Sequence, residues 1–146
     1  MSHHDIKYTQ EDHLWSFFGL PVTLQRPRGK AQQVHLNYFI NLGNRMSQNS
    51  LKKKYTKLLA DILKPVPKSP YDGRIKLLYV YYAPSAHIRD LDNMTSIVMK
   101  FTNDALTEYG FIVDDNLSFV QNIHLAYGGR DPNKFNHIDL HIFKDG

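Results

Sequence analysis

The chain has no cysteine, which excludes disulfides and thiolate metal sites and makes a reducing, cytoplasmic setting the simplest expectation. No apolar run approaches the roughly 18 residues that a bilayer-spanning helix needs, so no membrane role is expected. Nothing like a signal-peptide core follows His3, His4 and Asp5. A glycine-rich phosphate loop is missing, since Gly128-Gly129 reads only as a turn, and no serine sits in a Gly-x-Ser-x-Gly elbow. Internal repeats and low-complexity segments are missing too. With these classes removed, no small-molecule substrate suggests itself.

A further shortage is local. Between Asp12 and Asp61 there is no acidic residue at all, yet this stretch carries Arg26, Arg28, Lys30, Arg45, Lys52, Lys53, Lys54 and Lys57. The chain as a whole has a net charge of +4 and a pI near 9.2. Such a stretch suits a phosphate backbone, although Lys52–Lys54 and Lys57 would also serve as the solvated face of a helix. The acids gather elsewhere, at Asp90, Asp92, Asp104, Glu108, Asp114 and Asp115.

The 146 residues, 42% of them hydrophobic and 22% charged, fit one globular domain, 1–146, with residues 1–10 expected as a flexible tail. Leu14–Gly19 is apolar and expected to pack on the core. Pro21–Leu24 suggests a first strand, and Gln33–Ile40 a second extended piece with Val34, Leu36 and Tyr38 alternating. Leu51, Tyr55, Leu58, Leu59, Ile62 and Leu63 fall on one helical face, with Asn49 or Ser50 as cap and Pro65 and Pro67 as stops. Ile75–Tyr82 is an apolar run of β-formers and predicts a central strand. Residues 93–109 predict a second helix, buried through Met94, Ile97, Val98, Phe101 and Ala105 and ended by Gly110. Two alternating segments, Phe119–Tyr127 and Ile138–Ile142, predict an antiparallel hairpin. The sum is an α+β fold: a small mixed or antiparallel sheet with two main helices on one face.

The segment with most chemical content is Arg89-Asp90-Leu91-Asp92-Asn93. If the strand geometry runs on to Asp92, Asp90 and Asp92 point the same way. Two carboxylates about 4 Å apart repel by about 4 kcal/mol at an effective dielectric near 20. A hard divalent cation would offset that, and magnesium needs few protein carboxylates. Helix capping accounts for Asp92 or Asn93 without chemistry, but not for Asp90 as well. Asp114-Asp115 reads either as a polar turn or as further ligands. For Asp115 to rejoin Asp92 the chain must retrace a helix about 25 Å long with a segment, 110–115, that reaches about 20 Å at most. His137-Ile138-Asp139-Leu140-His141 could suggest a metal site, but reads more simply as the solvent face of a strand.

These pieces resemble the RusA family of Holliday-junction resolvases. The matching residues are Arg89-Asp90-Leu91-Asp92-Asn93, Lys100, Asp104-Ala105-Leu106, Gly110-Phe111 and Asp114-Asp115, and the likeness is specific over 89–115 only. It implies a dimeric endodeoxyribonuclease that uses Mg2+, or Mn2+ in its place, and cuts four-way DNA junctions by paired symmetric nicks in recombination and repair, encoded by a bacterium or a phage. It further implies Asp90, Asp92 and Asp115 as metal ligands and Lys100 as a catalytic lysine. The family lysine lies about one turn nearer the Asp-Asn pair, where this chain has Ser96, and Lys100 could equally pair with Asp104 at i+4. Arg89 or Lys100 would stabilise transition-state charge. Arg26, Arg28, Lys30, Arg45, Lys52, Lys53, Lys54, Lys57 and Arg89 would bind DNA. Two other readings remain open: a non-catalytic nucleic-acid-binding protein, and a metal nuclease for other branched DNA or RNA.

Overall fold

The computed structural model describes residues 9–68 and 71–146. The expected tail lies mostly outside that range; within it, Gln10–Asp12 form one 3-10 turn. Three strands and two helices build the body: β1 (His13–Pro21), α2 (Arg45–Leu63), β4 (Ile75–Ala83), α3 (Leu91–Glu108) and, last in the chain, β6 (His137–Lys144). A two-residue ribbon, β2 (Thr23–Leu24) with β3 (Gln32–Gln33), a short helix α1 (Leu36–Asn41) and strand β5 (Val120–Arg130) complete it. The main sheet has the order β1-β6-β4-β5, antiparallel except for the parallel pair β4–β5. It is an α+β fold with a mixed sheet.

β4 alternates buried and half-buried positions along its whole length. Its buried side, Ile75, Leu77, Tyr79, Tyr81 and Ala83, joins Leu51, Tyr55, Leu59 and Leu63 of α2 and Ile97, Val98, Phe101 and Leu106 of α3 in one core. Burying such side chains is worth about 1.5–3 kcal/mol each. Tyr55 and Tyr79 are buried with their hydroxyls satisfied, on the Pro21 carbonyl and the Asn103 side chain respectively.

Several expectations need correction. The hairpin of the last two strands does not form: β5 pairs with β4, and β6 inserts between β1 and β4. Burial accounts for this, since Ile138, Leu140 and Ile142 have no exposure and need neighbours on both edges, whereas β5 tolerates an outer edge. Gly128-Gly129 lies inside β5 rather than at a turn. The first strand begins at His13, and Trp15, Phe17 and Leu20 are its core residues. Leu36–Asn41 is helical, not extended, because His35 caps it: its Nδ1 accepts from Tyr38 N at 3.2 Å. α2 starts at Arg45, capped by Asn44 rather than by Asn49 or Ser50. Gly110, with φ of 78°, ends α3 as expected.

Candidate metal and nucleic-acid site

β4 ends at Ala83, and a loop carries the chain to α3. Asp90 and Asp92 are therefore not successive outward positions of a strand. Asp90 is the N-cap of α3, and Asp92 lies in the first helical turn. The N-cap side chain makes no capping bond. Both residues are exposed, and neither carboxylate has a hydrogen bond or ion pair among the described residues. Asn93 is used differently: its Oδ1 accepts from Asn37 N at 3.0 Å, tying α1 to the start of α3.

The loop before Asp90 is held by Arg89. Its guanidinium donates to the Ser85 and His87 carbonyls, at 3.3 and 3.0 Å, and to Ser85 Oγ at 2.9 Å. Arg89 is thus a brace for this turn, with fewer donors left for phosphate than expected.

Asp114 and Asp115 lie at the other end of α3. Because β4 and β5 are parallel and Val120 pairs with Ile75, the segment entering β5 sits where β4 begins, opposite Asp90. Asp114 forms the polar turn: its Oδ1 accepts from Asp115 N at 2.7 Å, and its Oδ2 from Asn116 Nδ2 at 3.0 Å. Asp115 is held above the ordinary carboxylate range, first by desolvation, then by its bond to Asp114, with the charges of Asp104 and Asp114 adding to the shift. Asp115 also raises the Tyr79 phenol, after burial, so it is near the Tyr79–Asn103–Asp104 side of the helix. Asp92 and Asp104 are about 18 Å apart along the helix axis. A single protomer therefore does not bring Asp115 to Asp90 and Asp92. Among the described residues no group of three or more His, Cys, Asp or Glu side chains is placed to hold a metal ion.

Lys100 is exposed on α3 about 12 Å beyond Asp92. It does not pair with Asp104, whose Oδ2 takes Lys52 Nζ at 3.1 Å instead. Ser96, at the family's lysine spacing, has a covered hydroxyl without a partner.

The basic residues do come together. Arg26, Arg28 and Lys30 are exposed on the β2–β3 connection, where Arg26 Nε donates to the Lys30 carbonyl at 2.7 Å. Lys54 Nζ donates to Gln32 Oε1 at 2.9 Å, so this connection abuts the outer face of α2. That face bears an open groove of about 1290 Å³ lined by Arg45, Lys52, Lys53, Lys57 and Lys64, with Asp61 the one acid. The Lys52–Asp104 bridge puts the groove beside the Asp115 end of α3, not the Asp90 end.

Sequence reasoning missed His35. Besides capping α1 it lies two residues from the Asn37–Asn93 bond, and desolvation lowers its pKa. No periodicity or motif marks it. The His137–Asp139–His141 row is less solvated than expected: His137 is stacked between Tyr82 and Phe135, Asp139 accepts from Gly19 N, and His141 Nδ1 bonds Ser16 Oγ. Compared with models of known families and with curated proteins, the chain matches none. No helix among the described residues is long and apolar enough to cross a membrane.

Proposed function

We propose that this protein is a divalent-metal-dependent endodeoxyribonuclease of the RusA kind, a homodimer that cuts four-way DNA junctions. The observation that carries the reading is Asp90: it occupies a cap position and does not cap, and Asp92 beside it is equally unpartnered. Capping was the bland account of Asp92 or Asn93; the cap position falls to Asp90 instead, and its side chain makes no capping bond. Exposed carboxylates with free lone pairs suit Mg2+, which binds through one or two carboxylates together with substrate phosphate. Bound there, the ion would supply an activated water and charge relief at the scissile phosphate. The first amides of α3, lacking a side-chain cap, are donors for a phosphate oxygen. The groove on α2 would hold the flanking backbone through salt-dependent contacts.

Asp115 does not fit the same ion within one protomer. A dimer would supply it if its two-fold axis ran perpendicular to α3 near the midpoint, which would exchange the helix ends. The Asp115 end and basic groove of one protomer would then face Asp90 and Asp92 of its partner. The lack of a three-residue ligand group among the described residues favours a second reading, a nucleic-acid-binding protein without catalysis.

The test offers a mobile four-way junction, a linear duplex and a single strand with Mg2+. Paired nicks in opposing strands of the junction alone are expected. Asp90→Asn should lose them by at least the 10- to 100-fold typical of groups that merely support a metal ligand. Equal cutting of all three substrates removes the junction assignment; absence of cutting and of Mn2+ uptake leaves the binding protein. Mixing inactive Asp90→Asn with inactive Asp115→Asn distinguishes the two geometries. A site shared between protomers regains single nicks in mixed dimers, and a site within one protomer regains none.

A further inference from the structure

A second cleft opens immediately before Asp90, with a volume of about 350 Å³. It lies outside the carboxyl ends of the parallel pair β4–β5, where open sheets commonly bind ligands. Its size is near the lower limit for ligand pockets, enough for one planar heterocycle. Two of its walls are Tyr81 and Tyr127, neighbours across β4 and β5 with ring centroids 6.4 Å apart and planes inclined by 34°. Tyr81 is buried at 2% exposure and fixed by its hydroxyl, which donates to Asn136 Oδ1 at 2.6 Å, so it backs the cleft rather than offering a free face. Tyr127 is 59% exposed, so its ring is open to a partner. The guanidinium of Arg89, pinned to residues 85 and 87, adds a further flat cationic surface. Among the described residues no carboxylate lines the cleft.

An exposed aromatic ring, here Tyr127, and a fixed guanidinium bind nucleobases by stacking and cation–π attraction, which is largely indifferent to sequence. The absence of acidic lining disfavours a cation. An apolar peptide side chain would not use the guanidinium. We infer that this cleft receives one nucleobase unstacked at the branch point, so that the adjoining phosphate lies at Asp90 and Asp92. The inference rests on the nuclease reading for what happens at that phosphate, but not for the base contact itself. Unstacking costs least where the base is already poorly paired, as at a crossover, so the cleft would favour branched over linear DNA.

The test measures binding without cutting, with Ca2+ replacing Mg2+, for the full chain. Ligands are the junction, the same junction with one abasic nucleotide moved through the positions beside the crossover, and linear duplex. Tyr127→Ala should weaken junction binding by roughly 5- to 100-fold, the range for loss of one base stack, and leave duplex binding unchanged. Tyr127→Phe should bind as the parent does. At one abasic position the parent should lose as much as Tyr127→Ala does, and Tyr127→Ala should lose nothing more there, the signature of two groups acting in one contact. Additive losses at every position, or parental affinity in Tyr127→Ala, would overturn the inference. If that coupling appears while the Mg2+ assay shows no cutting, the base site stands and the nuclease reading falls; cutting without coupling gives the reverse.

Discussion

The two ends of α3 carry the same kind of residue in opposite states. At the start, Asp90 and Asp92 are exposed, and their carboxylates bind nothing among the described residues. Near the finish, Asp104 is bridged to Lys52, Asp114 closes a turn, and Asp115 is crowded by both. A carboxylate tied into a turn or an ion pair has its lone pairs in use. An untied one is still available to a ligand. The difference separates the acids engaged within this fold from those whose carboxylates stay open to a ligand, although the sequence writes both as pairs of aspartates.

The largest expected effect comes from a side chain that anchors α3 in the core between its two ends. Phe101, mid-helix and 2% exposed, packs edge-on against Phe39 and lies tilted over Tyr55. Phe101→Ala should cost about 3–5 kcal/mol in denaturant unfolding. A smaller loss would mean that α3 is held chiefly elsewhere. Next is Asn93→Ala, which removes an acceptor for an α1 amide at the Asp90 end. About 0.5–2 kcal/mol is expected, as for a lost cap, together with faster amide exchange in α1. Unchanged exchange would mean that α1 does not depend on α3.

A pH effect of intermediate size belongs to neither end and serves as the control. Desolvation lowers the His141 pKa, against Asp139 and with His13. A histidine depressed in the folded state leaves stability intact above its ordinary value near 6.5 and lowers it as pH falls from there toward the folded-state value. The melting temperature should therefore drop on acidification from pH 7 to 5, and His141→Gln should shallow that drop. An identical slope in the variant refutes the assignment. The smallest effect is expected at Lys52, whose bridge to Asp104 leaves both side chains nearly half exposed. Lys52→Met should change stability by at most about 1 kcal/mol. In DNA binding it should reduce the salt dependence by about one ion.

The periodic elements were legible in advance. The α2 and α3 stripes, the β4 run and the Gly110 stop each express a local preference, and each is found, with α2 starting earlier, at Arg45. α1 was misread because His35 caps it through a ring nitrogen, and Leu36 and Tyr38 fit either period. The candidate site was legible as residue types. Its assembly was not, because the return of Asp115 depended on which strand β5 would join.

Hydrophobic spacing, capping residues and the long stretch without acids are properties of neighbouring positions. The chain alone therefore settled where the two long helices and the last three strands lie, which segment is basic and which is acidic. Strand order is a contest among burials of segments distant in the chain, and period-two alternation marks a strand without naming its partner. Only the folded sheet decided that β6 takes the interior and β5 runs parallel to β4. With that choice, Asp115 was carried to the far end of α3 from Asp90 and Asp92.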